Sequence, residues 1–210
     1  MTTVTTVRHR SRTDDPAAPE SAADHRRRLL DGLAASIAAE GYRKTTVADI
    51  VRHARTSRRT FYEHFTGKED CFAALLTENN ADAIREINAA VDTAAPWQTQ
   101  VRQAVDAWVA HAEACTPITL SWIRDLPAHG VRARRSHREA TEAYITAIQD
   151  LCDNDTMRAA GVGPIPRQRA LILLGGLREL LAATVEEGGH PTELTEVAVD
   201  AAIALLGPRG

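Results

Sequence analysis

From Asp24 onward, apolar residues recur at three- and four-residue spacing, and no run alternates apolar and polar positions for long enough to make a strand. The pattern predicts an all-α chain. A first helix over about Asp24–Glu40 gathers Leu29, Leu30, Leu33 and Ile37 on one face and stops at Gly41. Thr46, with Asp49 three residues on, reads as a capping box opening a short helix that buries Val47, Ile50 and Val51. Ala54, Arg55 and Thr56 form a turn, and Ser57 is placed to cap a third helix running through Phe65. Thr66 and Gly67 then break the chain before a long helix over about Lys68–Asp92.

The remainder continues in the same period. Pro96 precedes a helix over about residues 97–114, and Pro117 and Pro127 bracket a short segment containing Trp122. A helix over about 131–153 leads into a loop with Gly161, Gly163, Pro164 and Pro166. Two apolar helices follow, over about Arg167–Glu187 and Thr192–Leu206, which brings the expected total to about nine helices. Leu174, Leu177 and Leu181 form a stripe on the first, widened by Leu171, Leu173 and Leu180. Leu194, Val197, Ala198, Ala201 and Leu205 form one on the second. Both are more apolar around their circumference than a surface helix requires, so each is expected to pack on more than one neighbour.

Residues 1–23 show no apolar periodicity and are rich in Thr, Ser, Ala, Pro and charge, the composition of a disordered basic tail. The expected division is tail 1–23, a three-helix unit 24–67, and a helical domain 68–210. Charge follows it: residues 1–68 hold 13 Lys and Arg against 8 Asp and Glu, whereas residues 69–210 hold 12 against 20. A basic first part implies a polyanion partner for that part alone. Only Lys44 and Lys68 among the 25 basic residues are lysines, and an arginine-heavy surface suits phosphate and guanine.

Residues 46–65 have the spacing of a helix-turn-helix. Its second helix presents Ser57, Arg58, Arg59, Thr60, Tyr62 and His64, while Phe61 and Phe65 face inward. A helix of this kind fits the DNA major groove, with polar side chains at its N-terminal end reaching base edges.

Gly41-Tyr42, Thr45-Thr46-Val47, Ile50, Ala54, Ser57, Thr60-Phe61-Tyr62, His64-Phe65, Lys68-Glu69 and Phe72 together resemble the N-terminal domain of TetR-type bacterial repressors, over roughly Leu30–Leu75. The helices beyond match that family in architecture. The resemblance implies a homodimer that binds a palindromic DNA operator and leaves it when a small molecule enters the C-terminal domain. It assigns base reading to Arg58, Arg59 and Ser57, and phosphate contacts to Thr60, Tyr62, His64 and Lys68, with Thr45 and Thr46 where the second helix meets the backbone. His64 could equally pack under the fourth helix. Arg55-Thr56 stands where the family has Gly and a small apolar residue, so either the turn shifts or Arg55 accepts a positive φ and gains a phosphate contact. Arg8, Arg10 and Arg12, with Arg26, Arg27 and Arg28, form either a DNA arm or a solvated charged surface.

Trp108, His111 and Cys115 fall on one helix face and, with Trp122 and Tyr144, are the candidate ligand-pocket residues. Gly175-Gly176 in mid-helix costs about 1 kcal/mol per glycine, which close approach of a second helix would explain. The last two helices of two subunits are therefore expected to meet through Leu174, Gly175, Leu177, Leu181, Val197, Ala201 and Leu205.

Three cysteines at irregular spacing exclude a disulfide framework and a Cys-based zinc site; no metal or cofactor is expected. No segment reaches the ~20 apolar residues of a membrane span, and no secretory signal is visible. Phosphate loops, metalloprotease motifs and nucleophile elbows are missing too, so an enzyme is the remote alternative. The expectation is a cytoplasmic bacterial regulator, at the nucleoid when bound to DNA. Control without a ligand, or by a protein partner, is the nearer alternative.

Overall fold

The computed structural model describes residues 21–125 and 130–208, with the backbone alone from 130 to 133. The tail arginines Arg8, Arg10 and Arg12, and Pro127, lie outside the described residues. Every regular element among the described residues is helical: α1 (Ala22–Glu40), α2 (Val47–His53), α3 (Arg58–His64), α4 (Lys68–Ala90), α5 (Trp97–Ala114), α6 (Thr116–Arg124), α7 (Gly130–Leu151), α8 (Asp155–Ala159), α9 (Arg167–Glu186) and α10 (Thr195–Leu206), with a 3₁₀ turn Pro191–Leu194 before the last.

Ten α-helices stand where about nine were expected. The extra one is α8, five residues capped by the Asn154 side chain, which accepts from the Met157 N–H. A helix this short shows too little periodicity to be read from apolar spacing. The start of α1 also moves, from Asp24 to Ala22. Ser21 and Asp24 form a reciprocal capping box, Ser21 Oγ accepting from the Asp24 N–H at 3.2 Å and the Asp24 carboxylate from the Ser21 N–H at 3.0 Å.

Helices α1 to α3 close around Leu29, Leu33, Ile50, Phe61 and Phe65. The α1–α2 crossing depends on Gly32, where a Cβ would stand 2.6 Å from the Ile50 carbonyl oxygen and 2.9 Å from the Ala54 methyl. Gly41 ends α1 at φ 79°, its N–H donating to the Ile37 carbonyl. Tyr42 follows, stacked on Phe72 of α4 with ring centroids 4.0 Å apart. Helix α4 therefore starts on the three-helix unit and runs on to pack against α5 and α7. The remaining helices pack in turn: α5 on α10, α7 on α9, α6 on both α9 and α1.

Candidate nucleic-acid interface and ligand cavity

The turn between α2 and α3 takes the second of the two geometries open to it. Arg55 has φ 51°, a left-handed conformation that a non-glycine residue adopts at some cost. The Thr56 N–H reaches back to the Val51 carbonyl at 3.0 Å and the Arg55 N–H to the Arg52 carbonyl at 3.3 Å. That is the Schellman closure of a helix, with arginine at the position glycine ordinarily takes. Arg28 of α1 holds it in place. Its Nε and Nη2 donate to the Ala54 carbonyl at 3.1 and 2.8 Å, and Nη2 also donates to the Arg55 carbonyl at 2.7 Å. Arg28 thus belongs to the scaffold of the turn, a role its place in a charged run did not suggest.

The capping box of α2 is present: Thr46 Oγ1 accepts from the Asp49 N–H, and the Asp49 carboxylate accepts from the Thr46 hydroxyl at 2.6 Å. That hydroxyl, then Arg52, hold the Asp49 carboxyl down to about 2. Ser57 caps α3 by accepting from the Thr60 N–H at 3.1 Å, its hydroxyl 2.9 Å from that of Thr60. Beneath the helix Phe61 is fully buried. Above it Ser57, Arg58, Arg59 and Tyr62 are exposed, Tyr62 at 60% despite its size. Arg59 reaches Glu63 one turn on, Nε to Oε1 at 3.1 Å.

Other expected contact residues lie elsewhere. Thr45 is buried, and its hydroxyl donates to the Gly41 carbonyl at 2.9 Å, so its side chain is part of the fold and not of the outer surface. Lys68 is half-buried, its Nζ donating to the carbonyls of Tyr42 at 3.0 Å and Thr45 at 2.9 Å while standing 4.4 Å from the Tyr42 ring centroid. One of its three N–H donors is left for an outside acceptor. His64 is half-buried, its ring 6.4 Å from that of Phe65.

In the larger domain a cavity of about 80 Å³ is walled by apolar groups of α4, α5, α7, α9 and α10, Trp108, Val105, Ile148 and Leu173 among them. Trp108 and Tyr144 line it. His111, Cys115 and Trp122 are not among its lining residues. His111 Nδ1 bonds to the Glu86 carboxylate at 2.9 Å, and Trp122 stacks on Tyr144 with centroids 5.9 Å apart. Helical spacing puts Trp108, His111 and Cys115 on one face of α5, but a helix packed on several neighbours divides that face between them.

The expected dimer residues also separate. Leu174 and Leu181 are buried within the subunit's own core, and Leu177 is half-buried and lines the cavity. The outward positions of α9 and α10 are Leu171, Ile172, Gly175, Gly176, Val197 and Ala201, with Ile172 62% and Val197 52% exposed; Leu205 is half-buried. Apart from the adjoining backbone of α9 itself, nothing among the described residues lies within 4 Å of a Cβ at Gly175 or Gly176.

Comparison with known sequences finds a match in the N-terminal part. Residues 29–75 match the bacterial regulatory proteins of the tetR family. The matched span covers α1 from Leu29, the whole helix-turn-helix and the first part of α4, so the Arg55 turn lies inside the matched residues. No curated protein matches the chain. Among solved structures, the transcriptional regulator FadR from Bacillus subtilis in complex with stearoyl-CoA superposes with a TM-score of 0.72 at 15% identity, over 85% of this chain and 97% of its own. FadR from Bacillus halodurans gives 0.71 at 18%, over 87% and 99%. A TetR-family regulator from Mesorhizobium loti gives 0.67 at 20%, over 90% and 100%. At these identities the likeness is one of fold, and it extends over both the tetR-type domain and the helices beyond it. No helix among the described residues is long and apolar enough to cross a membrane.

Proposed function

We propose that this protein is a sequence-specific DNA-binding regulator of the cytoplasm that acts as a homodimer, represses from a palindromic operator, and is released by a small molecule taken into the larger domain. The observation that carries the reading is the tetR-type helix-turn-helix, whose second helix exposes Ser57, Arg58, Arg59 and Tyr62 while burying Phe61. Arginine forks suit guanine edges and phosphates, and a buried aromatic fixes the angle at which the helix is offered.

The dimer rests on the outward apolar strip of α9 and α10, with Gly175 and Gly176 at its centre. Two subunits meeting there make a four-helix contact about a two-fold axis, which places the α3 helices about one DNA turn (~34–36 Å) apart.

Release rests on the cavity and on what joins it to α1–α3. Ile87 of α4 lines the cavity, while Lys68 at the other end of the same helix holds the carbonyls of Tyr42 and Thr45. A second route runs through α6, whose Arg124 binds Glu179 and Glu186 of α9 and whose Asp125 binds Arg43. A ligand that binds better to one tilt of these helices shifts the population toward it. The fold neighbour from Bacillus subtilis, which holds stearoyl-CoA, supports a small-molecule effector in this architecture.

The test is selection of genomic DNA fragments by the purified protein, followed by affinity across a salt series. A palindromic consensus bound about 10³-fold or more above random DNA supports the reading. Weak binding without a consensus, falling steeply with salt, refutes it.

A further inference from the structure

Arg178 lies in the middle of α9 and is 9% exposed. A guanidinium so placed ordinarily faces a carboxylate, because an unpaired buried charge is expensive. Here Nη1 donates to the Thr141 hydroxyl at 3.0 Å, and Nε and Nη2 have no partner among the described residues. The next residue, Glu179, is bound to Arg124 instead. What covers the guanidinium is aromatic: its carbon stands 3.8 Å from the Trp122 ring centroid and 5.5 Å from that of Tyr144. Burial pushes its pKa down to about 10, which leaves it charged at neutral pH.

Two further buried nitrogens nearby have no partner among the described residues. Trp122 Nε1 is buried without a partner, and so is Nδ1 of His137, whose ring is 6.0 Å from that of Trp122. Arg178 Nε and Nη2 form the side-on edge of the guanidinium, the one that takes both oxygens of a carboxylate at once. The cavity is adjacent. Tyr144 belongs both to its wall and to the aromatic stack, and Leu174 and Leu177, one turn and one residue before Arg178, line it.

We propose that Arg178 is the anion-binding half of the effector site. It takes the carboxylate of an apolar monocarboxylic acid on its Nε–Nη2 edge, with Trp122 Nε1 as a further donor, and the acid's compact body fills the cavity beside Tyr144 and Trp108. The proposal rests on the ligand-release reading above and adds the class of ligand.

The experiment titrates the full chain with benzoate, phenylacetate, 4-phenylbutyrate and hexanoate, and with the neutral primary amide of each, by calorimetry and by tryptophan fluorescence. At least one acid is expected to bind saturably and about tenfold or more above its amide, because a neutral amide leaves the buried charge unpaired. Arg178→Gln is expected to abolish that preference, Arg178→Lys to weaken it, and Trp122→Phe to weaken the acid several-fold while keeping the ring stack. Wild-type protein that binds acid and amide alike, or binds none of the acids, overturns the proposal. So does an Arg178→Gln variant, folded by circular dichroism, that keeps the preference. Operator affinity is measured in parallel. An acid that binds through Arg178 without loosening DNA leaves the subsite standing and removes release by ligand. A neutral compound that releases DNA in the absence of acid binding does the reverse.

Discussion

Arg43 Nε donates to the Asp125 carboxylate at 2.7 Å, a bond between residues 82 apart in sequence that ties the helix-turn-helix unit to the end of α6. The Arg43 side chain is 76% exposed and that of Asp125 14%, so the pair contributes little to global stability, about 0–1 kcal/mol. Its effect is on how the reading head is held. Arg43→Gln is therefore expected to leave the urea midpoint nearly unchanged and to lower operator affinity several-fold, with the salt slope intact. A slope smaller by about one would make Arg43 a phosphate ligand instead.

Gly32 is a case in which helix propensity and packing oppose each other. Alanine is preferred in a helix by about 1 kcal/mol. Here its methyl would press within 2.6 Å of a carbonyl oxygen of α2. Overpacking is the larger effect, and Gly32→Ala is expected to destabilise the protein by about 1–3 kcal/mol in urea melts.

The turn at Arg55 gives a pair of opposite expectations. Arg55→Gly removes the left-handed strain, partly offset by the greater freedom of unfolded glycine, and should raise stability by up to about 1 kcal/mol. Arg28→Gln removes donors to the Ala54 and Arg55 carbonyls and should lower it by about 1.5–3 kcal/mol. If the Arg55 side chain also meets a phosphate, Arg55→Gly will bind DNA more weakly with a shallower salt slope, although its fold is firmer.

Thiol chemistry reports the packing of the helices from α4 onward. Burial pushes Cys71 and Cys152 up to about 12 and raises Cys115 as well, chiefly by desolvation. The thiolate is the reactive form, and each pKa is raised, so reactivity appears only as pH climbs toward that value. At pH 8 the native protein should alkylate slowly, Cys115 ahead of the other two, and all three should react quickly in denaturant. Fast labelling of Cys152 in native protein would mean that the cavity it lines admits the reagent.

For the dimer, Ile172→Glu places a charge at the most exposed large apolar position of α9 and should yield monomers by light scattering at micromolar concentration. Leu181→Glu should instead unfold the subunit, because Leu181 is 3% exposed inside it.

That last contrast shows what was legible in the sequence and what was not. The caps at Thr46 and Ser57 and the buried Phe61 could be read directly, since each depends on residues within one helical turn. Helix α9 could not be resolved in the same way. With Leu at 171, 173, 174, 177, 180 and 181 it is apolar on two faces, and periodicity does not say which one the subunit keeps for itself. Leu174 and Leu181 went inward and Ile172 outward. Gly32 and Arg28 were missed for a related reason: their roles depend on where α2 crosses α1, a contact with no local trace. Arg178 sits in a strongly apolar run, and a charged residue inside such a run was the signal that could have pointed to it.

The cavity beside Trp108 and Tyr144 has a consequence for how long the protein survives. Large-to-small core substitutions lose ~24 cal/mol per Å³ of cavity they leave, so a compound filling about 80 Å³ regains at most ~2 kcal/mol. A compound that fills it stabilises the folded chain, and with it the share of molecules that escape proteases. Cells rich in the effector would then hold more copies of this regulator as well as fewer of them on DNA, and the amount of protein would itself record the ligand's history.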